Sequence, residues 1–181
     1  MKLSIITPTL HERREFFDDI SSHLIPQLTD DVEWLVLGDQ RGMSLGKKMN
    51  LLYNMVQGEY VAVMNDDDMI PDNYIELMLK GCNSGKDVIV GKVASGHINN
   101  PHSITIEEYL LVPEVFYYHD YLNVLPAKTE LVLKHTVWDE DPQYNDCGQD
   151  MIFVRKIMAT KPTVYRVPDV FYYHAVAKEC R

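Results

Sequence analysis

Asp66, Asp67 and Asp68 stand in a row directly after the apolar run VAVMN. Carboxylates this close repel one another unless a positive charge lies among them. Hard divalent cations take carboxylate oxygens as ligands and often keep several waters, so a metal site is one interpretation. With Asn65, the segment offers two ligand registers, Asn65-x-Asp67 and Asp66-x-Asp68. A solvated acidic turn is the other interpretation, and it is the more common one for such a triplet.

The triplet follows the third strand of a chain whose first half alternates predicted strands with predicted helices. Apolar runs predict strands in KLSIITPTL, VEWLVLGD, EYVAVMN and KDVIVGKV, and helical spacing predicts helices in ERREFFDDISSHLI, SLGKKMNLLYNMV and PDNYIELMLKG. Ser44 is the expected N-cap of the second helix, and the third helix should begin near Pro71 and end before Gly81. This order predicts an α/β fold with a mostly parallel central sheet covered by helices on both faces.

Polar residues follow the predicted strands at one edge of this sheet. Asp39 ends the second strand, Asn65 ends the third, and the acidic triplet comes next. Because parallel sheets bind ligands at the carboxyl ends of their strands, this placement favours the metal site over the solvated turn.

The second half of the chain is less regular. EVFYYHDYLNVLPAK predicts one or two strands, WDEDPQYND an acidic loop, and GQDMIFVRKIMAT a helix. TVYRVPDVFYYHAV predicts two closing strands around a turn at Pro168-Asp169.

Composition narrows the class of protein. The net charge of −10 over 181 residues disfavours a broad basic face for nucleic acid. No apolar run approaches the ~20 residues of a membrane span. The three cysteines, Cys82, Cys147 and Cys180, form no C-x-x-C pair, which indicates free thiols in a reducing compartment. We therefore expect a cytoplasmic protein with one domain.

Five segments, in order, resemble a family-2 glycosyltransferase with the GT-A fold. They are LSIITPTLHER, VEWLVLGDQ, SLGKKMNLLYNMVQGEYVAVMNDDDMIPDNY, GQDMIFVRKI and VFYYHAV, and the resemblance runs from about Leu3 to His174. It implies one GT-A (Rossmann-like) domain over 1–181, with a nucleotide-sugar-binding half at 1–92 and an acceptor and catalytic half at 93–181. It also implies transfer of a sugar, with inversion, from a nucleoside-diphosphate sugar to an acceptor hydroxyl.

The resemblance implies a Mn²⁺ or Mg²⁺ ion at the triplet, which is similar to the family's Asp-x-Asp motif. Asp68 or Asp67 would be the direct ligand, while Asp66, with Asp67, would contact the ribose or sugar. His174 matches the family's late histidine, which completes the metal site or touches the diphosphate. A histidine beside two tyrosines is otherwise more often a packed core residue.

Asp150 matches the family's catalytic base, which takes the proton from the acceptor. It should lie at the N-terminus of a helix, whose dipole favours the ionised form. Asp146 and Asp141 are rivals nearby, and Gln149 stands where the family usually has Glu. An ordinary acidic residue in the first turn of a helix is the alternative.

The resemblance also implies a nucleotide pocket, with uridine as the family's commonest base. Asp39 would bind the base or ribose, although Gly38 and Gln40-Arg41 depart from the family's Asp-Asp-Gly-Ser. The remaining candidates are Thr7, Pro8, Thr9 and Glu12 around the base and Lys47 near the nucleotide. Trp138, with Asp139 and Glu140, is either an acceptor platform or a packing anchor.

Two other functions use the same fold. A nucleotidyltransferase would need a glycine-rich basic loop after the first strand, and TPTLHERRE has no glycine. A noncatalytic module for nucleotide sugars or glycans would release no nucleoside diphosphate. The acceptor stays open between a glycan, a lipid, a protein and a modified base of viral DNA.

Overall fold

The computed structural model describes residues 1–98, 115–117, 125–135, 138 and 149–177, and it describes only the backbone at 94–98, 115–117, 149–151 and 174–177. The strands are β1 Leu3–Leu10, β2 Val32–Asp39, β3 Tyr60–Val63, β4 Val88–Ile98, β5 Val115–Tyr117, β6 Ala127–Lys128 and β7 Val164–Ala177. The helices are α1 Arg14–Leu24, α2 Leu45–Tyr53, α3 Tyr74–Cys82, α4 Thr129–His135 and α5 Gln149–Ala159, with 3-10 turns at His11–Arg13 and Ile25–Gln27.

The described strands form one sheet that is mostly parallel, as predicted. β1 lies between β2 and β3 and is parallel to both. β6 joins β3 to β4 with antiparallel pairs, β7 runs parallel along β4, and β5 is antiparallel to β4. Leu3, Ser4, Ile5 and Ile6 are consecutive and all fully buried, so both faces of β1 are covered.

The helix ends follow the predicted capping residues with one exception. The Ser44 hydroxyl accepts a hydrogen bond from the Lys47 backbone N–H at 3.2 Å, which confirms the N-cap of α2. In contrast, Gly81 was predicted to follow α3 but lies inside it. A Cβ atom at this position would approach Ile89 Cγ2 to 2.4 Å, so glycine is needed there for close packing of α3 on β4.

The predicted turn at Pro168-Asp169 is wrong, because β7 continues through it as one strand. Val90 pairs with Arg166 and Lys92 pairs with Val170, so β7 has extra residues there and accommodates Pro168-Asp169 as an irregularity in the register. Proline is tolerated at such a bulge since no ladder hydrogen bond from its nitrogen is required. The continuous strand carries Tyr172 and Tyr173 to the acidic triplet.

Candidate functional site at the carboxyl ends of the first three strands

The loop that carries the acidic triplet is tied to β7. Met69 and Tyr173 exchange two backbone hydrogen bonds, of 3.0 Å from Met69 N–H and 2.9 Å from Tyr173 N–H. His174 is the next residue of β7, so the backbone brings it to the same edge as the triplet. Its side chain lies outside the described part of the structure. The role predicted for His174 therefore stays a prediction.

Arg13 is the cation that lies among the carboxylates of the triplet. Its Nη2 atom is 2.7 Å from Asp66 Oδ1 and 2.7 Å from Asp67 Oδ2. Arg13 is far from the triplet in sequence, so no sequence motif connects it to the carboxylates. In this structure, the repulsion between Asp66 and Asp67 is therefore offset by a guanidinium of the chain itself.

Asp66 is held on both sides. Its Oδ2 atom accepts a hydrogen bond of 2.5 Å from the Thr9 hydroxyl, and Arg13 contacts the other oxygen. Burial raises the pKa of Asp66 above its ordinary value, and the charge of Arg13 and the Thr9 hydrogen bond oppose that rise only in part. Because only 4% of the residue is exposed, Asp66 has little access to a ligand unless Arg13 moves.

Asp68 faces the protein rather than the cleft. Its Oδ2 atom accepts hydrogen bonds from the Tyr172 hydroxyl at 2.6 Å and from Asn65 Nδ2 at 2.7 Å, and the residue is 4% exposed. The Tyr172 hydroxyl also accepts from the Asn65 backbone N–H at 3.2 Å. By contrast, 26% of the Asp67 side chain is exposed, so Asp67 is the most accessible carboxylate of the triplet.

Tyr172→Phe is expected to lower the free energy of unfolding by about 2 kcal/mol, since it removes a buried hydrogen bond to a charged group. For a chain of this size, the melting temperature should then fall by about 4–8 °C. Differential scanning calorimetry measures the change, and Tyr165→Phe on the same strand is the matched control. A melting temperature equal to that of the wild type would contradict the role given to this hydroxyl.

Asp39 is held by Lys48, a buried residue of α2. Lys48 Nζ is 2.5 Å from Asp39 Oδ1 and donates to the Thr9 carbonyl oxygen at 2.8 Å. The Met43 backbone N–H donates to Asp39 Oδ2 at 2.7 Å. Lys48 and this backbone donor hold the pKa of Asp39 below its ordinary value, despite the opposing effect of burial. The carboxylate at the end of β2 is thus kept ionised and fixed.

Two cavities flank the end of β1. One has a volume of about 330 Å³ and is lined by the three cationic side chains Arg13, Arg41 and Lys48, by Asp66, and by Pro8, Thr9, Leu10, Met43 and Leu45. The other, of about 490 Å³, is lined by Thr9, Leu10, His11, Arg14, Phe17, Asp18, Val36 and Gly38. The first cavity, here called the cationic cavity, combines three cationic side chains with Asp66 of the acidic triplet and therefore suits a phosphate-bearing ligand.

The candidate nucleotide residues differ in their access to these cavities. Pro8 and Thr9 line the cationic cavity. Thr7 is fully buried and its hydroxyl accepts a hydrogen bond of 2.9 Å from the Trp34 indole, so we leave Thr7 out of the proposed pocket. The exposed Glu12 forms an ion pair with Arg41 across the loops that follow β1 and β2. Arg41 has a positive φ of 60°, which is uncommon outside glycine.

Lys47 was predicted near the nucleotide, but the side chain that reaches the site is Lys48. Lys47 is exposed, whereas Lys48 is 4% exposed and lines the cationic cavity. The helical spacing indicates that Lys48 faces inward, since it stands three residues after Leu45 and four before Leu52 on the inward face. We therefore assign Lys48, and not Lys47, to the candidate site.

The candidates of the second half are only partly described. Asp150 is the second residue of α5, so its backbone is at a helix N-terminus, and its side chain is outside the described residues.

Trp138 is 6% exposed and packs on Phe153, with the two ring centroids 5.9 Å apart. The Asn50 side chain forms two hydrogen bonds of 3.0 Å with the backbone of Trp138. Trp138 is thus a packing anchor and not an exposed platform. The rivals and neighbours Asp139, Glu140, Asp141 and Asp146 lie outside the described residues.

The carboxylates fit a hard divalent cation by their chemistry. Mg²⁺ is usually bound by one or two carboxylates with waters and substrate phosphates. Asp67, whose side chain is 26% exposed, supplies such oxygens next to Asp66, which lines the cationic cavity. No group of three or more His, Cys, Asp or Glu side chains is arranged for a metal in the part of the chain that is described. An ion here would therefore complete its shell with ligands from the donor and solvent, or from residues beyond that part.

Comparison with known proteins gives a family and a fold. The sequence profile of glycosyl transferase family 2 matches residues 16–135, which is more than half of the chain. Comparison with curated proteins finds no match. The chain is similar to the solved structure of S. aureus TarS, with a TM-score of 0.70 and 16% identity, over 99% of this chain and 38% of that one.

Two further solved structures contain ligands. S. aureus TarS 1-349 in complex with UDP-GlcNAc has a TM-score of 0.74 and 15% identity, over 98% of this chain and 59% of that one. Mannosyltransferase PcManGT from Pyrobaculum calidifontis, in complex with GDP-Man and Mn²⁺, has a TM-score of 0.61 and 17% identity, over 98% of this chain and 58% of that one. This chain spans less than two thirds of each of these solved chains.

Likeness at such low identity shows the fold, which is the GT-A fold expected from the sequence. Among the described helices, none has the length and apolar character required to span a membrane. The family match includes β2 with Asp39 and the complete acidic triplet, whereas Asp150 and His174 lie beyond it. The chain belongs to glycosyl transferase family 2.

Proposed function

We propose that the chain transfers a sugar from a nucleoside-diphosphate sugar, preferably a UDP-sugar, to an acceptor hydroxyl. The observation that carries this proposal is the cationic cavity beside the acidic triplet. Arg13, Arg41 and Lys48 line about 330 Å³ at the ends of β1 and β2, where a diphosphate would be bound by cations. The solved relatives bind UDP-GlcNAc in one case and GDP-Man with Mn²⁺ in another, which supports this class of donor.

The chain's residues have distinct roles in this proposal. Asp39, fixed by Lys48 and the Met43 backbone, accepts hydrogen bonds from the base or ribose. Asp66 lies next to Thr9 at the wall of the cationic cavity and contacts the ribose or the sugar once Arg13 has moved. Asp67 is the carboxylate that holds a Mn²⁺ or Mg²⁺ ion, since it is the most accessible of the triplet. Asp68 positions the loop through Tyr172.

The proposed transfer is a displacement with inversion at the sugar carbon. Asp150 takes the proton of the acceptor hydroxyl as its oxygen forms a bond to the sugar carbon. The bond from that carbon to the diphosphate breaks, and the nucleoside diphosphate leaves with the electron pair. When bound, the divalent ion acts as a Lewis acid that stabilises the charge on this leaving group. Arg13 and Lys48 supply further positive charge at the cavity wall.

UDP with Mn²⁺ is expected to raise the melting temperature of the protein, because a ligand that binds only the folded state stabilises it by mass action. At a concentration about 100 times the dissociation constant, the gain is about 2.7 kcal/mol, or about 5–10 °C. A thermal-shift panel of UDP, GDP, CDP and ADP, with Mn²⁺ or with EDTA, measures it.

The panel, followed by an assay of UDP-sugar consumption, can contradict the proposal. If none of the nucleoside diphosphates shifts the melting temperature, the cationic cavity is not a donor site. If the shift is present but a UDP-sugar is never consumed with any acceptor offered, the chain is a binding module and not a transferase. GDP with a larger shift than UDP would overturn the preference for uridine alone.

A further inference from the structure

We propose that Arg13 is a resident counter-ion that competes with the divalent cation for Asp67, and that it must leave Asp67 when cation and donor bind. The inference rests on the proposed function, because it concerns the cation and diphosphate of the same site. It assigns to Arg13 a positioning role that the family resemblance did not supply. Arg13 would thereby set the cation affinity of the donor-free protein.

One nitrogen of Arg13 serves both carboxylates. Nη2 lies 2.7 Å from an oxygen of Asp66 and 2.7 Å from an oxygen of Asp67, and no third residue contributes to this bridge among the ion pairs of the described residues. A divalent cation that binds Asp67 would have to displace Arg13 from the Asp67 oxygen and would be repelled by the positive charge of the guanidinium. The bridge therefore opposes cation binding for as long as it is closed.

The surroundings of Arg13 allow it to exchange partners within the cavity. Its side chain is 34% exposed and its Nε atom is buried without a hydrogen-bond partner among the described residues. The guanidinium also lies over the Phe16 ring, 5.4 Å from the centroid, which holds the side chain at the cavity wall. A guanidinium that leaves Asp67 thus keeps unused donors beside Lys48 and Arg41.

Phosphate oxygens are the natural next partners for these donors. Arginine binds phosphates through several parallel N–H groups, and the cationic cavity is where the diphosphate is proposed to lie. The same residue would then weaken binding of the cation alone and strengthen binding of the diphosphate. A residue with only a structural role would change both affinities in the same direction.

Arg13→Gln is expected to bind Mn²⁺ about tenfold more tightly than the wild type in the absence of nucleotide. A nearby cation lowers the proton affinity of a carboxylate by about this factor, and we expect a similar effect on its affinity for Mn²⁺. In EDTA, the same variant should bind UDP about tenfold more weakly. Isothermal titration calorimetry measures both affinities. Arg14→Gln is the matched control, since Arg14 is the next residue, its side chain is 82% exposed, and it forms an ion pair with Asp18 on its own helix.

Unchanged or weaker Mn²⁺ binding by Arg13→Gln would overturn the inference. An increase in Mn²⁺ affinity in Arg14→Gln as large as that in Arg13→Gln would also overturn it. If Arg13→Gln does not fold, a crystal structure of the wild type with UDP and Mn²⁺ decides the question. Arg13 still in contact with Asp67 would then reject it, and Arg13 on a phosphate oxygen would support it. The nucleotide-free Mn²⁺ titration tests Arg13 even if no nucleoside diphosphate binds, so the failure of the proposed function is seen separately.

Discussion

Asp67→Asn is expected to lower kcat/KM for sugar transfer by about a thousandfold. The substitution keeps the shape of the side chain but removes the charge that we propose to hold the divalent ion. Stabilisation of a leaving diphosphate by such an ion is worth several kcal/mol. At about 1.4 kcal/mol for each factor of ten, a loss of about 4 kcal/mol gives this change. The variant should also lose the Mn²⁺-dependent part of the thermal shift with UDP.

The control for Asp67→Asn is Asp72→Asn, an exposed carboxylate shortly after the triplet. It should leave kcat/KM and the Mn²⁺ dependence unchanged. Asp68→Asn tests the other register, and we expect it mainly to lower stability because Asp68 accepts hydrogen bonds from Tyr172 and Asn65. Loss of Mn²⁺ dependence in Asp68→Asn but not in Asp67→Asn would assign the metal to Asp68 instead.

Lys48→Met is expected to destabilise the protein by about 2 kcal/mol and to weaken donor binding. It leaves Asp39 without its cation, and removing one partner of a fully buried ion pair costs about 3–5 kcal/mol. We expect less here, because 12% of the Asp39 side chain is exposed and water reaches it. The melting temperature should fall by about 4–8 °C, measured by calorimetry.

The matched control for Lys48→Met is Lys47→Met at the exposed neighbour, which should change the melting temperature by no more than about 1–2 °C. The double variant Asp39→Asn with Lys48→Met should regain part of the lost stability, since it leaves no unpaired charge. Full stability of Lys48→Met alone would show that Asp39 does not depend on Lys48.

Much of the fold was predictable because it rests on local patterns. Buried apolar runs gave the parallel core strands, and Ser44 gave the start of α2. The bulge in β7 was missed because Pro168-Asp169 is a turn signal in sequence, and only the partner strand β4 shows that the chain continues through it. Gly81 was misplaced for a similar reason, as its need for space arises from Ile89 on another element.

The candidate site was predicted in its location but not in its contacts. The ends of β2 and β3 identify Asp39 and the triplet, since parallel strands share one binding edge. Arg13 was not predictable, because Arg14 beside it has the same chemistry and the pairing with Asp66 depends on how far the 3-10 turn after β1 reaches. Lys48 could have been found from the phase of its helix.

The two hydrogen bonds between Met69 and Tyr173 have a consequence for how the site is assembled. A ribosome synthesises Asp39 and the three aspartates long before it synthesises the strand that clamps their loop. A nascent chain that has emerged only as far as Pro168 contains Asp39 and the three aspartates but lacks both His174 and the clamp. We therefore expect the chain to become able to bind the donor only after β7 has docked on the loop of the triplet.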